Sequence, residues 1–278
     1  AGELNLRDTT GTTLHHLHNQ FGRSWFEKFK EMGRSGDDAL VDWAQGQKLN
    51  ENAVTSLYNK LGKVFDKPYI RPNVAGKPVE EIIQTLSKGH SVILSFGGYE
   101  SDLDYLLVTN ILTRLIRSEW ERRTNESYTN PNAEKPYPLV IALEEAHKLL
   151  NREMANQTSF AVIAREMRKY SVTLLVIDQR PSQIYDEVMS QLGTRISGWL
   201  GDDNDISAVL SGLSGKDTLR GMLSRLQPKE EVLLFGYGVP MPLPVRSRRY
   251  DENFWKELFG TDSGKDETSV LNPDDYFG

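Results

Sequence analysis

The chain has 278 residues, 38% of them hydrophobic and 26% charged, and carries a net charge of -6. That length suits one large domain, or a domain with an added helical part, and buries a real core. The absence of cysteine excludes disulfides and thiolate metal sites. No apolar run approaches the roughly 18–20 residues of a membrane span, and the polar opening residues lack a secretory signal pattern, so the expected location is cytoplasmic with no membrane contact. The acidic balance excludes a generally basic nucleic-acid surface, while leaving room for basic residues on an inner loop of a ring.

Residues 1–65 read as helical. Phe21, Trp25, Phe26 and Phe29 recur at three- and four-residue steps, and Val54, Leu57, Tyr58 and Leu61 repeat that rhythm after a break at Gly33, Ser35 and Gly36. The aromatics predict a small core of their own within an N-terminal helical subdomain, 1–85. His15, His16 and His18 lie close together, but no partners stand at ligand spacing, so they read as a polar turn or helix surface rather than a metal site.

Four short apolar runs follow, at 90–96, 137–143, 171–178 and 231–236. Nearly continuous apolar runs fit strands buried on both faces, as in a parallel sheet. Between the first two lies an amphipathic stretch, 101–123, with Leu103, Leu106, Leu107, Ile111, Leu115 and Ile116; a second helix is expected over 157–169. This alternation predicts an α/β fold over 86–250, a largely parallel, doubly wound sheet flanked by helices. The polar, proline-containing stretch 127–138 reads as an exposed loop. Residues 251–278 form a C-terminal tail, and its Gly-, Asp- and Ser-rich part after Phe259 reads as a mobile strap or an arm reaching a neighbour.

Residues 139–150 (LVIALEEAHKLL) hold the sharpest chemical feature: an apolar strand ending in adjacent carboxylates, Glu144 and Glu145. The carboxyl ends of strands line the ligand crevice of open α/β sheets. Two acids there suit a nucleotide hydrolase, one in the Mg²⁺ shell and the next orienting or deprotonating water. They also suit a strand that ends in charge before a helix N-terminus. The 171–178 strand runs into Gln179-Arg180-Pro181-Ser182, where the Gln179 amide is placed to contact a γ-phosphate or its water, or simply opens a turn. Arg165, Arg168 and Lys169 crowd the end of the preceding helix. They complement its dipole, or supply an arginine finger to a neighbouring subunit.

Together, EEAH at 144–147, REMRKY at 165–170 and DQRPSQI at 178–184 resemble the HerA family of HerA/FtsK-type P-loop ATPases. The runs 191–205 and 223–248 are similar to the strands that follow in that family, with Lys229-Glu230 standing where a glycine is usual. The resemblance covers about 90–250. It implies a RecA-like core, a homo-oligomeric and hexameric ring, and ATP hydrolysis with Mg²⁺ at subunit boundaries. Carried over by motif, Glu144 is the acid near Mg²⁺, Glu145 the catalytic base, Gln179 the sensor, and Arg168 or Arg165 the trans-acting finger. His147 matches the histidine of the motif.

A phosphate loop, G-x-x-x-x-G-K-[ST], is absent from the sequence. In the nearest lookalike, residues 212–218 (GLSGKDT), the glycines stand too close, Asp217 replaces the hydroxyl residue, and no apolar strand precedes. The chain is therefore expected to begin after the phosphate loop, in keeping with its start without Met; a degenerate subunit completed by a partner is the alternative. The resemblance implies an ATP-driven double-stranded DNA translocase or helicase acting in DNA end processing, repair or phage defence, possessing a partner nuclease in some settings. The alternatives are a non-catalytic ring-assembly module and a conjugation- or secretion-type ATPase. Residues 127–135 and 201–217 are the candidate DNA-gripping loops, through phosphate contacts.

Overall fold

The aromatic repeat of the N-terminal region closes on itself. The computed structural model describes residues 8–70, 77–98, 101–155 and 158–259. Helices α1 (Asp8–Phe21), α2 (Trp25–Arg34), α3 (Asp37–Gly46) and α4 (Glu51–Phe65) bury Leu17, Phe29, Leu40, Ala44, Val54, Leu57, Leu61 and Phe65 in one cluster. Phe21, Trp25, Phe26 and Tyr58 pack around it. The Asn50 side chain caps α4 by accepting from the Ala53 amide at 2.9 Å, satisfying one of the donors a helix start leaves free. Of the break expected at Gly33, Ser35 and Gly36, Gly33 lies in the last turn of α2, and Ser35 and Gly36 separate α2 from α3, with Gly36 at φ 121.

Helix α5 (Pro78–Ser87) precedes the 90–96 run. That run forms no strand: it pairs with nothing in a ladder, and Ile93 is 88% exposed. A strand needs a partner for its backbone groups, and among the described residues none lies beside it; Phe96 instead stacks on Tyr105, ring centroids 4.3 Å apart. The expected helix over 101–123 is α6 (Asp102–Thr129). It reaches into the stretch expected as a loop because Arg122 pairs with Glu119 at 2.8 Å and Glu126 at 2.7 Å, and Arg123 with Glu119 at 2.6 Å. Such pairs one turn apart support helix, and the Arg122 and Arg123 bonds hold the Glu119 carboxyl near 2 despite its partial burial.

At its start α6 is pinned to the segment after α4. Asp104 is 2% exposed and accepts from Lys67 at 2.8 Å, Ser101 at 2.6 Å and the Tyr69 hydroxyl. Burial pushes the Asp104 carboxyl up, but the Lys67, Ser101 and Tyr69 bonds and the Lys67 charge outweigh it and hold the group at about 2. Further along, the fully buried Trp120 donates its indole N–H to the Tyr137 carbonyl at 2.9 Å, fixing α6 to the entry of the first strand.

The second and third apolar runs are strands, as expected, and pair in parallel. In β1 (Leu139–Leu143) and β2 (Val172–Val176), Leu139 lies opposite Val172 and Leu143 opposite Val176. Between them come α7 (His147–Leu150), α8 (Phe160–Glu166) and a 3-10 turn at Met167–Tyr170. The helix expected over 157–169 is thus split, and residue 157 lies outside the described residues. One face of the pair, with Leu143 and Val172, is buried; α8 and the turn pack on β2. The other face leaves Val140 59% and Leu175 47% exposed. Helix α9 (Asp186–Gln191) follows. The chain is therefore α/β, with a parallel pair flanked by helices.

Residues 1–191 and 192–278 form two compact units. In the second, β3 (Thr194–Ser197), α10 (Asp203–Val209), α11 (Lys216–Leu223), β4 (Glu231–Gly236) and β5 (Leu243–Arg246) make an antiparallel sheet, ordered β3-β4-β5, with a helical cover. Ile206, Leu210, Leu219, Leu223, Leu233 and Phe235 are its core. The fourth apolar run is thus a strand at the expected place but antiparallel to both neighbours. The short 237–242 connection permits only a hairpin, since a parallel return needs a crossover of about a dozen residues or more. Of the tail, α12 (Glu252–Phe259) is helical; the strap expected beyond it lies outside the described residues. No helix among the described residues is long and apolar enough to cross a membrane.

Candidate active site at the strand ends

The parallel register brings the polar ends of β1 and β2 side by side. Pairing continues past the strands, with the Ile177 amide donating to the Leu143 carbonyl at 2.9 Å. Glu144 and Glu145 therefore emerge next to Asp178 and Gln179. Both glutamates are exposed. The backbone turns sharply at Glu145, whose φ of 48 lies in the left-handed region; that region is costly for a residue with a Cβ, and such strain gathers at functional sites. Ala146, with no exposed surface, then leads into α7.

A compact polar network ties the two ends. Gln179 donates its amide to Glu145 Oε1 at 3.3 Å. The Asp178 side chain is 3% exposed, and its Oδ2 accepts the His147 backbone N–H at 2.7 Å and lies 2.8 Å from His147 Nδ1. Its other oxygen accepts the Arg180 N–H at 2.6 Å. His147 Nδ1 also lies 3.7 Å from Glu145 Oε2. Lys148 sits over the Tyr105 ring at 5.1 Å, holding α7 to α6.

Of the residues singled out in the sequence, the structure brings Glu144, Glu145, His147 and Gln179 to one place. It does not bring the arginines there. Arg165 pairs locally with Glu166 at 3.5 Å and Glu187 at 3.6 Å. Arg168 is exposed in the 3-10 turn before β2. The 212–218 segment is a polar loop entering α11, with α10 and no strand ahead of it. Asp178 is the participant the sequence reading passed over, taken there as the last residue of a strand. The signal for it was symmetric with Glu144: an acid where a parallel apolar strand ends.

No group of three or more His, Asp or Glu among the described residues forms a cage for a metal ion. Glu144 and Glu145 are oxygen donors open to solvent, whereas Asp178 is occupied by its own bonds. That donor set fits Mg²⁺, which keeps several waters and takes one or two carboxylates beside substrate phosphates.

The fold and site define an α/β protein with an exposed acidic cluster at the carboxyl ends of parallel strands, the place where such sheets bind ligands. No family model matches the chain. Among curated proteins it is 23% identical over 243 residues to the DNA double-strand break repair helicase HerA of Sulfolobus acidocaldarius, covering 86% of this chain and 45% of that protein. It is 24% identical over 214 residues to the HerA of Saccharolobus solfataricus, covering 76% and 40%. It is 30% identical over 134 residues to the HerA of Pyrococcus furiosus, covering 47% and 24%. In sequence the chain is HerA-like, and it spans less than half the length of these relatives. The genome packaging NTPase B204 of Sulfolobus turreted icosahedral virus 2, in complex with AMP, superposes over 60% of this chain and 72% of that one, at 10% identity and a TM-score of 0.39. So loose a superposition leaves the fold to be argued from the strands themselves.

Proposed function

We propose that this chain carries the water-activating half of a HerA-type ATPase site, in a protein whose hydrolysis drives movement along double-stranded DNA. The contact between Glu145 and Gln179 at the ends of adjacent parallel strands carries this reading. Glu145 is the general base toward the attacking water. Gln179 fixes its carboxylate and reports on the γ-phosphate side. Glu144 holds Mg²⁺ through its water shell. Bound Mg·ATP supplies the phosphoryl group and the charge neutralisation that its transfer needs. In this reading the core is RecA-like, the protein works as a ring, and Arg168 or Arg165, both exposed and away from Glu145, face the site of the next subunit. HerA relatives carry the name of a DNA repair helicase, which supports DNA as the track; a nuclease companion in end processing belongs to the same proposal.

The alternative is a ring module that keeps the fold without turnover. The two separate in one experiment: ATP turnover of the protein as its native gene encodes it, with and without linear double-stranded DNA. The motor reading expects Mg²⁺-dependent turnover stimulated by DNA, with a stimulation that weakens as salt rises. No turnover under either condition overturns it in favour of the ring module.

A further inference from the structure

We propose that Asp178 is a positioning residue, which locks His147 in the tautomer carrying its proton on Nδ1 and so fixes the turn that presents Glu145. Three of its contacts converge on this. Asp178 is buried, with 3% of its side chain exposed. One oxygen takes both the backbone N–H of His147 and ring Nδ1, at 2.7 and 2.8 Å; its other oxygen takes the Arg180 N–H. A carboxylate accepts only, so the ring nitrogen facing it must donate. In the neutral ring Nε2 then carries the lone pair, and no hydrogen bond ties it within the described residues.

The backbone bonds matter as much as the ring. The His147 amide directly follows Ala146 and the left-handed Glu145, and the Arg180 amide directly follows Gln179. One buried carboxylate therefore clamps the two turns from which Glu145 and Gln179 project, and their 3.3 Å contact lies just outside that clamp. An acid holding a histidine by its far nitrogen is a general way to fix an imidazole and its neighbourhood. Among the described residues Glu145 is the other acid facing the ring, at 3.7 Å from the same Nδ1, and is the alternative acceptor for its hydrogen bond. The bearing of this clamp on hydrolysis rests on the role proposed above for Glu145; the clamp itself does not.

The test is nitrogen-15 NMR of the histidine side chains in the 278-residue chain, with the His147 signals assigned by their loss in His147→Gln. The wild type is expected to show His147 as the Nδ1–H tautomer, unlike the averaging expected of exposed histidines. Asp178→Ala is expected to lose that preference, and Asp178→Asn, which keeps an acceptor oxygen, to recover part of it. An Nε2–H or averaging His147 in the wild type overturns the proposal without need of any variant. So does an unchanged tautomer in a folded Asp178→Ala, or a tautomer that responds to Glu145→Gln instead. In the protein that turns over ATP, Asp178→Ala is expected to lower kcat at least tenfold with the KM for ATP little changed. A wild type without turnover would sink the ATPase reading, while the NMR result would still decide the clamp.

Discussion

The helices α1–α4 and the ends of β1 and β2 are built on opposite terms. In the helical cluster, Leu17, Phe29, Val54 and Leu57 have no exposed surface, and the apolar faces made by helical spacing close on one another. At the strand ends, apolar β1 and β2 run out into exposed carboxylates, a left-handed glutamate and a buried acid. The first region holds its shape by burying area. The second spends a strained backbone and an acid-rich surface on presenting Glu145 and Gln179, and it leaves one face of the strand pair, at Val140 and Leu175, uncovered. Stability and the proposed chemistry thus reside in different residues, and substitutions should separate them.

The largest effect on stability belongs to the helical cluster. Phe29→Ala, at a site with no exposed surface, is expected to cost about 3–5 kcal/mol in urea unfolding through lost burial and a residual cavity. It should leave the histidine spectra of the strand ends unchanged while the chain stays folded. A changed His147 signal would mean that the two regions are coupled.

The Asp104 latch comes next. Its carboxyl sits at about 2 against an ordinary 3.8, so it binds its proton less readily folded than unfolded. The contribution is complete above the unfolded value and is lost as pH falls from about 4 toward 2; at neutral pH it amounts to about 2 kcal/mol. Urea melts of wild type and Asp104→Asn should differ by about that much at pH 7 and converge near pH 2. A gap that persists at pH 2 would assign the loss to packing instead.

The smallest effect has the opposite sign. Glu145→Gly removes the side chain from a left-handed backbone. Relief of that strain, partly offset by the freer unfolded chain, should stabilise the protein by on the order of 0.5 kcal/mol. In the helical cluster no comparable truncation should stabilise. A loss of stability at Glu145→Gly would show that the carboxylate contributes more to holding the turn than its backbone costs.

How far the sequence spoke differs between the two regions. The helices were readable because the 3.6-residue period of Phe21, Trp25, Phe26 and Phe29 needs only local geometry. β1 and β2 were readable from apolar runs ending in polar residues, and so were the glutamates, His147 and Gln179. Direction and partnership were not. The 90–96 run has strand composition, yet a strand exists only by pairing, which composition does not carry. The 231–236 run became antiparallel through a hairpin whose consequence lies in connection length rather than in the run itself. Asp178 escaped notice because its role depends on where His147 falls, 31 residues away. The arginines at 165 and 168 carry a motif, but the local partners of Arg165 appear only in three dimensions.

The role proposed for Glu145 is to activate water. Its most direct test compares wild type and Glu145→Gln, in the protein as its native gene encodes it, for Mg·ATP binding by calorimetry and for single-turnover hydrolysis. The amide is nearly the same size and keeps a contact to Gln179, but it accepts no proton. Loss of a general base costs about 10²- to 10⁴-fold in rate, so hydrolysis is expected to slow by that much with nucleotide binding retained. Hydrolysis at the wild-type rate in Glu145→Gln would contradict that role.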